Sequence, residues 1–202
     1  MATGKNVFII VSDASDEFLK NSEAEQMVKL RRKGALVPLK AEHDLVTEAL
    51  AGSAAGGESM VDAARAGGYV VEPMAHGSEL SLVEGVKGEE ALLAVLDQAF
   101  GVNSTKMLLV VLGQNSAVFY GLGIERGLVL DRELPAACVA PTLAWLGDLP
   151  LPAQVEAAPA YAVIKGLNFK AKEMAKLKDT NDALMLKIER DNRKPWDKHD
   201  CA

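Results

Sequence analysis

Cysteine is nearly absent from this chain. The two present, Cys138 inside an apolar run and Cys201 one residue from the end, make neither a disulfide framework nor a zinc-finger spacing, so both are expected to be free thiols in a reducing compartment. A basic excess is also missing. Twenty-eight acidic residues against 22 basic ones give a net charge of -6, which opposes a polyanionic partner, and nucleic acid is not expected as a ligand. No apolar run approaches the roughly 18 to 20 residues needed to cross a bilayer. The stretch Met1 to Asn6 is polar and lacks the basic-then-apolar pattern of a signal peptide. These absences predict a cytoplasmic protein with no membrane partner.

What is present is enough apolar residue for a real core. About half of the 202 residues are apolar, and a chain of this length is ordinary for one domain. Val7 to Val11 is a β-branched run ending in Ser12-Asp13-Ala14-Ser15-Asp16, the pattern of a buried strand followed by a helix N-cap. Asp16 to Lys33 has loosely helical spacing, Gly34 is its stop, and Ala35 to Leu39 is the next strand. Asp44 to Ala51 and Ser59 to Ala66 are expected helices separated by a flexible Gly/Ala/Ser loop, and Tyr69 to Val71 a short strand. Gly88 to Phe100 carries an apolar helical stripe, and Met107 to Leu112 follows as a strand of the buried type. Val118 to Tyr120 and Leu128 to Leu130 are shorter strand candidates, and Pro141 suits the first turn of a helix through Trp145 to Gly147. Strands alternating with helices predict an α/β domain over residues 1–166, with a mostly parallel sheet covered by helices on both faces.

The segment from Leu167 to Arg190 differs in texture, being charged, free of Gly and Pro, and strong in helix propensity. Met174, Leu177, Asn181, Leu184 and Ile188 follow spacings of three and four residues with a polar Asn in the seam. This C-terminal helix, placed within 167–194, has two expected uses: packing on its own domain, or forming a homodimer. Residues 195–202 form an expected flexible tail that includes His199.

Several segments in order resemble the alkaline phosphatase superfamily of phosphodiesterases, nucleotide pyrophosphatases, sulfatases and cofactor-independent phosphoglycerate mutases. Phe119 to Gly127 contains Gly121-Leu-Gly123-Ile-Glu-Arg-Gly127. Val139 to Pro152 reads Val-Ala-Pro-Thr-Leu-Ala-Trp-Leu-Gly-Asp-Leu-Pro-Leu-Pro, similar to the family's Ala-Pro-Thr helix and following turn. Val7 to Asp13 resembles the opening strand and its metal-binding Asp. The resemblance spans roughly residues 6–165, weakest between Leu39 and Glu84, and implies a shortened member lacking a substantial insertion.

That resemblance implies two metal ions, zinc or manganese, beside a Thr or Ser nucleophile, because two cations neutralise developing phosphoryl charge and activate the attacking oxygen. Carried over residue by residue, it makes Asp13 a metal ligand and puts Glu72 and His76 on the family's Asp-x-x-Gly-His pair. It leaves Thr47 and Ser53 as alternative nucleophiles. The chain departs from the family after Leu112, where Gln114-Asn115-Ser116 stands for an Asp-His-Gly triplet that supplies two ligands. Neutral amides bring no charge and are weak zinc ligands. No further His follows until His199.

Each of these residues also has an ordinary structural use. Asp13 suits a helix N-cap, His76 and His43 suit solvated loops, Thr47 a helix and Cys138 an inert core position. Gly121 and Gly123 do not make a dinucleotide fingerprint, since the third Gly is misplaced. Two expectations follow. The first is a pseudoenzyme, a catalytically weakened or inactive relative that keeps the fold as a binding or assembly module, binding one metal ion or none. The second is a metal-dependent phosphoesterase, a hydrolase of small phosphate or sulfate esters with a reduced ligand set.

Overall fold

The computed structural model describes residues 4–75, 77–102 and 106–166, and, of the C-terminal region, residues 181, 182, 184–186 and 188. Residues 1–165 form one compact unit and 166–202 a second.

The first unit is α/β. Strands β1 (Asn6–Ser12), β2 (Gly34–Lys40), β3 (Leu80–Val86), β4 (Met107–Leu112), β5 (Ser116–Gly121), β6 (Leu128–Val129) and β7 (Leu134–Pro135) form a seven-stranded sheet of order β3-β1-β4-β5-β2-β6, with β7 also on β2. The pairs β1 with β3, β1 with β4, β2 with β6 and β2 with β7 are parallel. Strand β5 is antiparallel to both of its neighbours, β4 and β2. The expected mostly parallel sheet is therefore a mixed one. The reason is loop length: three residues separate Leu112 from Ser116, enough for a hairpin and far short of the dozen or so that a parallel crossover needs. The hairpin closes with the Gly113 amide donating to the Ser116 carbonyl at 2.8 Å. Two reversals leave β2 running in the same direction as β1 and β4, so all three end at the same edge of the sheet.

The helices are α1 (Asp16–Asn21), α2 (Glu25–Lys33), α3 (Leu45–Ala51), α4 (Met60–Ala66), α5 (Glu89–Gly101) and α6 (Val139–Gly147). The expected single helix from Asp16 to Lys33 is two, broken at residues 22–24, and the expected strand at Tyr69 to Val71 reduces to one bridge between Val71 and Leu80. Asp44, Ser15 and Ser59 are N-caps whose side chains accept the amide three residues on, satisfying donors that the first turn leaves open. On one face of the sheet Phe8, Ile10, Leu109, Val111 and Val118 bury against Leu19, Met27, Leu30, Leu92 and Leu96 from α1, α2 and α5. Alternate residues Val7, Ile9, Leu108 and Val110 are equally buried on the other face, where α6 packs against β1 and β4. A full core position of this kind contributes about 1.5–3 kcal/mol of apolar burial. Helices thus cover both faces.

Of the expected C-terminal seam, Met174 and Leu177 lie outside the described residues. Asn181, Leu184 and Ile188 are helical, and Leu184 and Ile188 are exposed, as are Met185 and Leu186. Among the described residues, no helix is long and apolar enough to cross a membrane.

Candidate functional site

The shared edge where β1, β2 and β4 end is where an α/β sheet ordinarily binds its ligand. There, Leu39 to Ala41 and His43 to Leu45 from the end of β2, Gln114 and Asn115 from the β4–β5 turn, and Glu133 line an open cleft of about 520 Å³. Its rim is polar and exposed, with Lys40 and His43 set against Asp44 and Glu133. Lys40 and Glu133 also border an adjoining hollow of about 310 Å³.

A buried carboxyl shapes the cleft wall. Glu48 is 2 % exposed, and its Oε1 accepts the amides of Glu42 at 2.8 Å and His43 at 2.6 Å, fixing the loop that follows β2. The sequence offered one signal for it, a charged residue directly before the apolar run Ala49-Leu50-Ala51. Asp44 Oδ2 accepts the Thr47 amide at 2.8 Å. Hydrogen bonds from the Thr47 hydroxyl, first, and from the Thr47 amide hold the Asp44 carboxyl below the usual carboxylate range. The pairing lowers basicity, so Asp44 is a poor proton acceptor for its own neighbour. Thr47 is thereby part of the α3 cap, exposed at the first turn.

Ser53, the other nucleophile expectation, is 1 % exposed and does not line this cleft. Its hydroxyl donates to Glu156 Oε2 at 3.0 Å and accepts the Ala55 amide, tying the loop after α3 to the loop of residues 153–157.

Asp13 follows β1 at the same edge. Its Oδ1 accepts the Gly88 amide at 2.8 Å, which links the ends of β1 and β3 at the start of α5. Gln114 donates through Nε2 to the Asp13 carbonyl at 3.0 Å, and its amide donates to the Ala14 carbonyl. The Asn115 carbonyl accepts the Leu39 amide at 2.7 Å, and buried Ser116 donates its hydroxyl to Asp16 Oδ1 at 2.6 Å. Gln114, Asn115 and Ser116 are thus engaged in holding turns together.

Glu72 lies elsewhere. Its amide donates to Ser78 Oγ and its carbonyl accepts from Ser81 Oγ, beside the start of β3. Ser81 pairs with Phe8, five residues before Asp13 along β1. Glu72 is thus anchored near the start of β3, whereas Asp13 follows the end of β1. His76 lies outside the described residues. Among the described residues, no three His, Cys, Asp or Glu side chains are grouped so as to hold a metal ion.

Cys138 is buried beside the first turn of α6, and burial pushes its thiol up to about 12. At the opposite edge of the sheet, a hollow of about 360 Å³ runs along the Gly121-Leu122-Gly123 turn. No family model matches the chain, and neither the curated proteins nor the solved structures contain a match to it.

Proposed function

We propose that this protein is a non-catalytic member of the alkaline phosphatase superfamily, a pseudoenzyme that keeps the scaffold as a binding and assembly module and takes a small polar ligand in the strand-end cleft. One observation carries the reading. Where the resemblance calls for Asp and His as metal ligands, Gln114 and Asn115 stand, and the Gln114 amide is spent on the Asp13 carbonyl at 3.0 Å. A neutral amide brings no negative charge to a dication pair, and its carbonyl oxygen is a weaker zinc ligand than carboxylate or imidazole. The assembly half of the reading is supported by Leu184 and Ile188, exposed apolar residues four apart on a helix.

The test uses full-length protein dialysed after incubation with zinc or manganese. Metal is quantified by mass spectrometry, and turnover of aryl phosphate mono- and diesters is compared with an Asp13→Ala variant. The expected result is less than stoichiometric metal and no turnover above the variant. Two retained ions per chain, with turnover that Asp13→Ala abolishes, would establish the phosphoesterase reading instead.

A further inference from the structure

At the edge of the sheet opposite the strand-end cleft, three segments far apart in sequence bring three cations to one hollow of about 360 Å³. Lys33, Arg126 and Lys165 line it together with Tyr120, Met107 and the turn of residues 121–124.

The convergence follows from the backbone. Lys33 ends α2, and Gly34 opens β2 in a turn so close that a Cβ there would fall 2.3 Å from the Phe119 carbonyl oxygen, which only glycine tolerates. Gly34 pairs with Tyr120, so Lys33 is delivered beside the end of β5. Gly121 has φ +106°, and a Cβ on it would meet the Met107 carbonyl oxygen at 2.1 Å; the chain turns there tightly and reaches Arg126 five residues on. Lys165 arrives through a bridge between Ile124 and Ile164, its amide donating to the Gly123 carbonyl at 2.8 Å.

The charge is uncompensated locally. Lys33, Arg126 and Lys165 form no ion pair with any described residue. No carboxylate lines the hollow, although the chain as a whole carries -6. Three like charges held in one concavity repel each other, and a bound dianion relieves that repulsion. The guanidinium of Arg126 matches a phosphate edge through paired N–H donors, which an ammonium alone does not.

We infer that this hollow is a binding site for a small organic phosphate, a phosphomonoester whose dianion lies among Lys33, Arg126 and Lys165 and whose organic group rests against the Tyr120 ring and Met107. Burial, the larger influence, raises the Tyr120 hydroxyl above its usual range against the opposing pull of Arg126, so at neutral pH the phenol is a neutral hydrogen-bond donor. The site is separate from the strand-end cleft, since none of its lining residues belongs to that cleft.

The test is titration of 15N-labelled full-length protein with phenyl phosphate and, separately, inorganic phosphate at low ionic strength. Saturable shifts at Gly121, Gly123 and Arg126 are expected, with phenyl phosphate binding the tighter. Arg126→Gln and Lys165→Gln should each weaken binding by about tenfold, the loss of one charge-assisted contact. Lys40→Gln, in the other cleft, should leave it unchanged. Both exposed substitutions keep the backbone intact, and a retained amide spectrum verifies folding. Absence of saturable shifts at these residues overturns the inference, as does equal affinity in Arg126→Gln. So does binding to anionic phospholipid vesicles through these residues without binding of phenyl phosphate.

Discussion

Glu48 Oε1 accepts the backbone amide of His43 at 2.6 Å from a side chain that is 2 % exposed. The same atom takes the Glu42 amide, so one buried carboxyl holds the turn between β2 and α3 and with it one wall of the strand-end cleft. Glu48→Ala leaves two amides without their acceptor. The expected loss is about 2–4 kcal/mol, read as a lower urea midpoint at unchanged slope. A loss under about 0.5 kcal/mol would show that the loop is held by something else.

The Asp44 cap gives stability a dependence on acid. Its carboxyl is lowered by the Thr47 hydroxyl and amide, so the folded state favours the ionised form. A depressed carboxyl contributes fully above the ordinary carboxylate range and is lost as pH falls through the folded value. Asp44→Ala should cost about 1 kcal/mol near neutral pH, with the gap from wild type closing in acid. Asp44→Asn, which keeps an acceptor, should retain most of the stability and remove that part of the pH dependence. Thermal melts across an acid series read both.

Cys138 presents the opposite sign. Burial raises its thiol to about 12, so the folded state favours the protonated form; that contribution is complete below the ordinary thiol range and is lost as pH climbs towards 12. In a Cys201→Ser variant, the remaining thiol should resist a disulfide-exchange reagent at mildly alkaline pH and react fully in denaturant. Rapid native labelling would place Cys138 at an open position.

Gly121→Ala should be strongly destabilising. A left-handed φ costs a non-glycine residue about 1–2 kcal/mol, and the added Cβ meets the Met107 carbonyl oxygen at 2.1 Å. A melting temperature within a degree or two of wild type would mean that the β4–β5 pair relaxes freely there.

If the C-terminal helix mediates assembly, Leu184→Glu combined with Ile188→Glu should shift sedimentation towards a smaller species without changing the melting of the α/β unit. An unchanged sedimentation coefficient removes the assembly half of the proposed function.

Much of the fold was legible residue by residue. The runs at Val7 to Val11 and Met107 to Leu112 became β1 and β4, and the helices expected over Asp44 to Ala51 and Ser59 to Ala66 formed with Asp44 and Ser59 as their N-caps. Strand β3 was missed. Its sequence Leu-Ser-Leu-Val-Glu-Gly-Val has exposed Glu84 and Gly85, and a register shift opposite Ile10 to Ser12, so it lacks the uniform apolar texture of the central strands. For the site, the neutral amides at Gln114 and Asn115 could be read directly, whereas the buried role of Glu48 could not, because a single charge beside apolar residues does not reveal which amides it will meet.

By itself the sequence determined most of the central elements and which residue types were available to any chemistry, since propensity, periodicity and capping act within a few residues. Only the tertiary structure decided that β5 lies antiparallel between β4 and β2, that the Glu48 carboxyl takes the Glu42 and His43 amides, and that Lys33, Arg126 and Lys165 share one hollow. Those relationships depend on strand pairing and register, which join residues tens of positions apart and leave no local mark on the chain.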